Sequence, residues 1–252
     1  MEICAFILHL TRASARRENA QSLRDTCGLP AEIWPAVDGA AMSATELEAR
    51  VDAGLFTPTY PFSLRTGEIG CFLSHRQIWA EIVRRDLDAA LILEDDAGLD
   101  PVLFDRALDL ARVHVSALGY IQFQTRPPRS NARLIDTNDP CQLLLPVVGG
   151  LRTTAQIVHH EAARRLLETS SRFDRPVDTF VQSHWQTGIR PAMILPSGIS
   201  EIADRLDGST IQGTGKSLAE KASREVKRGL YRRAVARASR HSPAHEPETT
   251  HD

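Results

Sequence analysis

One stretch constrains this chain more than any other: residues 89–96, Ala89-Ala-Leu-Ile-Leu-Glu-Asp-Asp96, where an apolar run ends in three consecutive carboxylates. A continuous short apolar run is the pattern of a strand buried on both faces, as in a parallel sheet. Acids at its end stand on a rigid edge where a cation can be held. Because side chains alternate along a strand, Glu94 and Asp96 are expected on one face and Asp95 on the other. Mg²⁺ and Mn²⁺ prefer oxygen ligands, take one or two carboxylates from the protein, and fill their other positions with water and substrate phosphates. Glu94 and Asp96 meet that requirement. Acids at a strand end can also cap the next helix, and Asp100-Pro101 marks such a helix start. The pattern alone leaves both readings open.

With 252 residues, the chain can bury a core as one large domain, with or without an appendage. No apolar run approaches the roughly 20 residues needed to span a bilayer. Residues 1–8 lack the basic leader and cleavage site of a signal peptide and read as a first strand. Cys4, Cys27, Cys71 and Cys141 are scattered without a C-x-x-C pair, which points to reduced thiols in a cytosolic protein. The formal charge of −2 conceals an asymmetry. Residues 216–240 carry nine Lys or Arg against Glu220 and Glu225, a local +7 that leaves −9 for the rest. An acidic body with a basic segment signals a partner more than a fold.

Residues 3–10 read as a buried strand, 11–27 as a helix stopping at Gly28-Leu29-Pro30, and 32–34 as a second strand. That opening favours an α/β sheet with its ligand beyond the carboxyl ends of the strands. There is no G-x-G-x-x-G or Walker-type loop, so a nucleotide would be held by a cation and basic side chains. Arg12, Arg16 and Arg17 follow the first strand, within reach of a diphosphate; a solvated helix face is the ordinary explanation for at least two of them. Ala36-Val37-Asp38-Gly39 is a turn, and residues 40–65 form a short helix and a loop. Thr66 then caps an inward-packing helix that starts at Gly67 and carries Ile69, Phe72, Leu73, Trp79, Ile82 and Val83. Cys71 and His75 stand four apart on it. Two ligands do not make a zinc site and the sequence shows no third, so they read as a core Cys and a hydrogen-bonded His.

Gly67-Glu68-Ile69-Gly70-Cys71-Phe72-Leu73-Ser74-His75, then Trp79, then Leu91-Ile92-Leu93-Glu94-Asp95-Asp96, together resemble glycosyltransferase family 25. That family contains the lipooligosaccharide galactosyltransferases of Gram-negative bacteria and is related to the collagen galactosyltransferases. Ile7 to Arg12 with Arg16, the turn at 36–39, Pro176-Val177-Asp178-Thr179-Phe180 and Ser209-Thr210-Ile211 extend the resemblance over residues 3–212.

The resemblance implies an α/β fold of GT-A type over residues 1–212, with a central mixed, mostly parallel sheet flanked by helices. It also implies inverting transfer of a hexose from a nucleotide sugar, UDP-galactose first, to a lipooligosaccharide or lipopolysaccharide glycan. A divalent cation, Mn²⁺ or Mg²⁺, would be held by Glu94 and Asp96, and the donor bound by Arg12, Asp38, Gly39, Ser74, His75 and Glu94. Asp178 is the candidate general base; its position after Pro176 equally suits a first-turn helix acid, and Asp174 and Glu201 compete with it. Gln122, Gln124 and Arg126 are placed to face the donor sugar. His159, His160 and His184 show no ligand spacing and read as structural or exposed. Where the family often has T-x-G-Y, this chain has Thr153-Thr154-Ala155-Gln156, a lost aromatic expected to alter the acceptor side.

Residues 213–240 are expected to form a basic helix that either binds an anionic membrane surface or lies solvated on the acidic body. Residues 241–252 have the composition of a disordered tail. Apart from Tyr231 the basic segment lacks interleaved aromatics, so nucleic acid is not an expected partner. The expected setting is the cytoplasm, peripheral on the inner face of the membrane. A metal-dependent nucleotidyl or phosphoryl transferase, a binding module that keeps the fold, and transfer to a capsular or protein-linked glycan remain open alternatives.

Overall fold

The computed structural model describes residues 1–206 and 218–242. Among these residues ten strands form: β1 Ile3–His9, β2 Ala31–Pro35, β3 Ala89–Glu94, β4 Ala97–Leu99, β5 Tyr120–Phe123, β6 Ala132–Asn138, β7 Cys141–Pro146, β8 Ala155–His159, β9 Ala192–Leu195 and β10 Ile199–Glu201. Eight make the central sheet in the order β2-β1-β3-β8-β5-β9-β7-β6, while β10 and β4 pair antiparallel beside it. Only β8 and β7 run against the other six strands of that sheet, so the expected mixed, mostly parallel architecture is what forms.

Alternation builds a core on each face of the sheet. Ala5, Ile7, Leu91 and Leu93 pack with α1 (Arg17–Thr26) and α4 (Pro101–Leu118), whereas Phe6, Leu8, Ala90 and Ile92 pack with α3 (Thr66–Arg84) and α5 (His160–Thr169). Helices α2 (Ala44–Glu48), α6 (Val177–Gln182), α7 (His184–Thr187) and α8 (Leu218–Arg240) complete the described chain. Asp100 caps α4 as its sequence announces: its Oδ1 accepts from the N–H groups of Val102 and Leu103 at 3.1 and 3.2 Å, with Pro101 at the first helical position. The α3 helix starts one residue earlier than expected. Arg65 rather than Thr66 is its cap residue, and the Glu68 carboxylate accepts the Arg65 N–H at 2.8 Å.

Two glycines lock the turn at 36–39 onto α3. A Cβ on Gly39 would stand 1.9 Å from the Thr66 carbonyl oxygen, and one on Gly70 would stand 2.6 Å from that of Val37. Backbone therefore touches backbone, and only glycine permits it. We expect Gly39→Ala to destabilise the protein by about 1–3 kcal/mol, read as a lower urea midpoint. An unchanged midpoint would mean that the contact yields freely.

The α8 helix lies on the body through Tyr231, Val235 and Ser239, spaced at one helical turn. The Tyr231 ring meets Tyr60 edge-on, and Arg224 stacks over Phe62 at 4.4 Å. Val226 and Leu230, 64% and 60% exposed, point away beside Lys227, Arg233 and Arg237. Among the described residues no helix is long and apolar enough to cross a membrane. The tail expected over 241–252, all but its first two residues, and the block at 209–211 lie outside the described residues.

Candidate active site

β3 ends at Glu94, and Asp95 and Asp96 form the turn into β4. Despite that turn, the three acids separate as alternation predicts. Asp95 is buried and turned toward β1 and α1: its Oδ1 accepts from Arg16 Nη1 at 2.9 Å, and its Oδ2 meets His9 Nδ1 at 2.8 Å and accepts the Leu10 N–H at 3.3 Å. Asn19 fastens the turn by donating to the carbonyls of Asp95 and Ala97 at 2.9 and 2.8 Å. None of the three acids caps a helix, so the capping alternative falls away.

Glu94 and Asp96 instead form a wall shared by two clefts. The smaller, about 130 Å³, is also lined by Leu10, Arg12, Arg16, Asp38 and Ser74. The larger, about 970 Å³, is lined by Tyr60, Arg126, Arg152, Asp178 and Glu201 together with the same two acids. Glu94 Oε1 accepts from the Thr153 hydroxyl at 2.7 Å and lies 3.2 Å from His75 Nε2. Burial would raise Glu94, but the bonds from His75 and Thr153 outweigh it and hold its pKa below the ordinary carboxylate value. Asp96 goes the other way: burial, then the charge of Glu94, push it up to about 6, although Arg16 Nη1 donates to its Oδ2 at 2.8 Å. Glu94 is thus held charged by its partners, while its neighbour Asp96 keeps its proton more tightly than an ordinary carboxylate.

On the larger cleft, Asp178 is the acid in the first turn of α6. Its Oδ1 accepts the Thr179 N–H and hydroxyl at 2.6 and 3.1 Å, and its Oδ2 accepts the Arg152 N–H at 3.2 Å. Burial raises its pKa against those bonds, with Glu94 adding to the rise. Arg152 adopts φ 81°, a left-handed conformation rare for a bulky residue. The amides of Gln122 and Gln124 hold its loop in place by donating to the carbonyls of Gly150, Leu151 and Arg152 at 2.9–3.3 Å. This corrects the expectation that Gln122 and Gln124 face a sugar: both are buried braces, and only Arg126 of that trio reaches the cleft.

Other expected residues sort clearly. Arg12 lies at the smaller cleft with its Nε 2.7 Å from Asp38 Oδ2, while Asp38 Oδ1 accepts the Ala40 N–H at 3.0 Å. Asp38 therefore steadies Arg12, and the Arg12 hydrogen bond lowers its pKa. Ser74, at the cleft wall, donates to the Gly70 carbonyl at 2.7 Å and accepts the Val37 N–H at 2.8 Å, so its visible bonds join the turn to α3. Arg17 is exposed on α1. Asp174 is buried in an ion pair with Arg175 at 2.6 Å, away from the larger cleft. Glu201 lines that cleft but is paired with Arg152. Gln156, at the position of the missing aromatic, lies in the interior with its Nε2 3.2 Å from His75 Nδ1. The substitution therefore places a buried amide beside His75, the residue that meets Glu94.

Sequence reasoning placed Arg16 in the family resemblance but gave it no task at the acids, and gave Thr153 no role. The signal for Arg16 was its place in the first turn after a strand that ends beside the acids.

The model of glycosyltransferase family 25 (LPS biosynthesis protein) matches residues 3–181. A glycosyltransferase 25 family member of Drosophila melanogaster is 38% identical over 118 residues, 46% of this chain and 19% of that protein. Procollagen galactosyltransferase 1 of Danio rerio is 31% identical over 191 residues, 70% of this chain and 30% of that protein. Inactive glycosyltransferase 25 family member 3 of Mus musculus is 36% identical over 94 residues, 36% of this chain and 16% of that protein. The chain thus spans less than a third of the length of these relatives. With the paired clefts, the shared acidic wall and a family match over most of its length, this chain belongs to glycosyltransferase family 25.

Proposed function

We propose that this chain is an inverting hexosyltransferase that moves a sugar, galactose from UDP-galactose first, onto a lipopolysaccharide-type glycan. The observation that carries the reading is the meeting of Glu94, Asp96 and Asp178 on one cleft. Glu94 and Asp96 offer the carboxylate oxygens that Mg²⁺ or Mn²⁺ requires, and the rise of Asp96 through burial and the charge of Glu94 supports the reading, since such an ion would offset both. Bound there, the ion supplies stabilisation of the charge that develops on the departing diphosphate. Arg12 adds positive charge at the smaller cleft, where the nucleotide diphosphate belongs, and Arg16 holds Asp95 and Asp96 in register.

The acceptor enters the larger cleft. Its hydroxyl oxygen forms the new bond to the anomeric carbon on the side opposite the diphosphate, and its proton passes to the Asp178 carboxylate. The bond from carbon to the diphosphate oxygen breaks, and its electron pair leaves with the phosphate. A half-buried carboxylate on the cleft wall with raised proton affinity suits that role. The exposed basic face of α8, with Val226 and Leu230 among its arginines, suits an anionic membrane surface on the cytoplasmic side. Each basic residue there contributes about 1 kcal/mol at most. A lipid-anchored acceptor would be presented at that surface.

The test is calorimetric titration of UDP-galactose, UDP-glucose and UDP-N-acetylglucosamine, with Mn²⁺ and with chelator. We expect metal-dependent binding of one sugar nucleotide, lost in Asp96→Ala. Binding of none sinks the proposal and leaves a chain that keeps the fold without the chemistry, the condition that the mouse relative's name gives for that protein.

A further inference from the structure

We infer that Cys71, His75 and Glu94 form a thiophilic metal site that takes Zn²⁺, adjoining the position proposed for the hard cation. Cys71 and His75 lie one turn apart on α3 and so share a face. The sequence offered no third ligand because that ligand comes from the end of β3. In the fold, one ligand atom from each of the three residues lies within 4.8 Å of the other two. Tetrahedral zinc, with bonds of about 2.0–2.3 Å, needs roughly 3.3–3.8 Å between its ligand atoms. The His75 Nε2 to Glu94 Oε1 distance of 3.2 Å is already close to that range. Closing the triangle takes a movement on the order of 1 Å, within reach of a rotation of the Cys71 side chain. Cys71 and Glu94 both line both clefts, so an ion can enter and a water can fill its fourth position.

A second observation points the same way. Gln156 is fully buried, and its Oε1 has no hydrogen-bond partner among the described residues, while its Nε2 lies 3.2 Å from His75 Nδ1. Which way round a Gln amide sits is decided by its hydrogen-bond network. Turned over, Gln156 places the orphaned oxygen where it accepts Nδ1–H of His75. With Zn²⁺ in place of the Nε2 proton that otherwise bonds Glu94, that bond holds the tautomer whose Nε2 lone pair faces the ion, the arrangement in which outer-shell groups orient metal-bound imidazoles. Zn²⁺ and the donor's cation then compete for Glu94. The competition rests on the function proposed above; the site itself does not.

Co²⁺ is the probe, because a thiolate bonded to Co²⁺ gives a near-ultraviolet charge-transfer band and tetrahedral Co²⁺ gives strong visible bands. Titrating the full chain with Co²⁺ is expected to develop both at one equivalent, and Zn²⁺ to displace them. Cys71→Ser should abolish the charge-transfer band and weaken Zn²⁺ binding about 10–100-fold, whereas Cys4→Ser and Asp96→Asn keep the band. A full-strength band in Cys71→Ser, or a wild-type spectrum with no thiolate band, overturns the site. Should Cys71→Ser fail to fold, alkylation of the wild-type protein decides. Zn²⁺ must then protect Cys71 from iodoacetamide, as mapped by peptide mass, and absence of protection rejects the proposal. The band without sugar-nucleotide binding supports the zinc site while the proposed function falls; sugar-nucleotide binding without the band does the reverse.

Discussion

Asp178→Asn is expected to lower hexosyl turnover by about 10²–10⁴-fold while leaving sugar-nucleotide affinity within a few-fold. The amide keeps the size of the carboxylate and an oxygen for the Thr179 N–H, but it cannot take the acceptor's proton. The split between kcat and binding is what separates a base from a first-turn helix acid. An acid that only complements the start of α6 is worth roughly 0.3–1 kcal/mol, and its loss leaves turnover near normal. Steady-state transfer assays beside calorimetry on the same variant read both quantities. Glu201→Gln is the companion measurement, because Glu201 lines the same cleft. If it removes turnover while Asp178→Asn does not, the assignment of the base moves to Glu201.

The largest loss of stability is expected from Arg175→Met, about 3–5 kcal/mol in urea unfolding. Arg175 is fully buried, and its guanidinium reaches Asp174 at 2.6 Å, the carbonyls of Phe56 and Pro58 at 2.9 and 3.0 Å, Tyr231 Oη at 3.1 Å and Ser183 Oγ at 3.2 Å. Removing it strands the Asp174 carboxylate in the interior, where the Phe56 N–H at 3.0 Å is too little to replace a charge. Against a total of roughly 5–15 kcal/mol for a folded domain, that is a large fraction. Adding Asp174→Leu should recover part of the loss, since it removes the stranded charge. A single-variant loss below about 1 kcal/mol would mean that water or rearrangement repairs the network.

Periodicity and strand-end chemistry made β1, β3 and α3 legible, because each of these elements is buried by a pattern that local sequence carries. The acidic wall was legible for the same reason. What remained hidden depends on pairings across the chain. Ser74, Gly39 and Gly70 stand in motif blocks beside ligand-like residues, and only the packing of the turn against α3 shows that they join backbone to backbone. Gln122 and Gln124 looked like sugar-facing amides because polar groups on a strand suggest a site; the loop at 150–152 that they hold is nearly 30 residues away in sequence. Thr153 stood in the T-x-G-Y block without a role, since what it does is a hydrogen bond to Glu94 across 59 residues.

The edge contact between Tyr60 and Tyr231 has a practical reach. Tyr60 forms part of the larger cleft, and Tyr231 belongs to a helix that begins well past residue 181, where the match to the family model ends. Glu201, which lines the same cleft, is likewise beyond that limit. A fragment trimmed to residues 3–181 would keep the three acids and lose both Glu201 from the cleft and the ring that packs on Tyr60. The unit to express with this cleft intact therefore runs through α8, because Tyr231 on that helix backs the Tyr60 ring that lines the cleft.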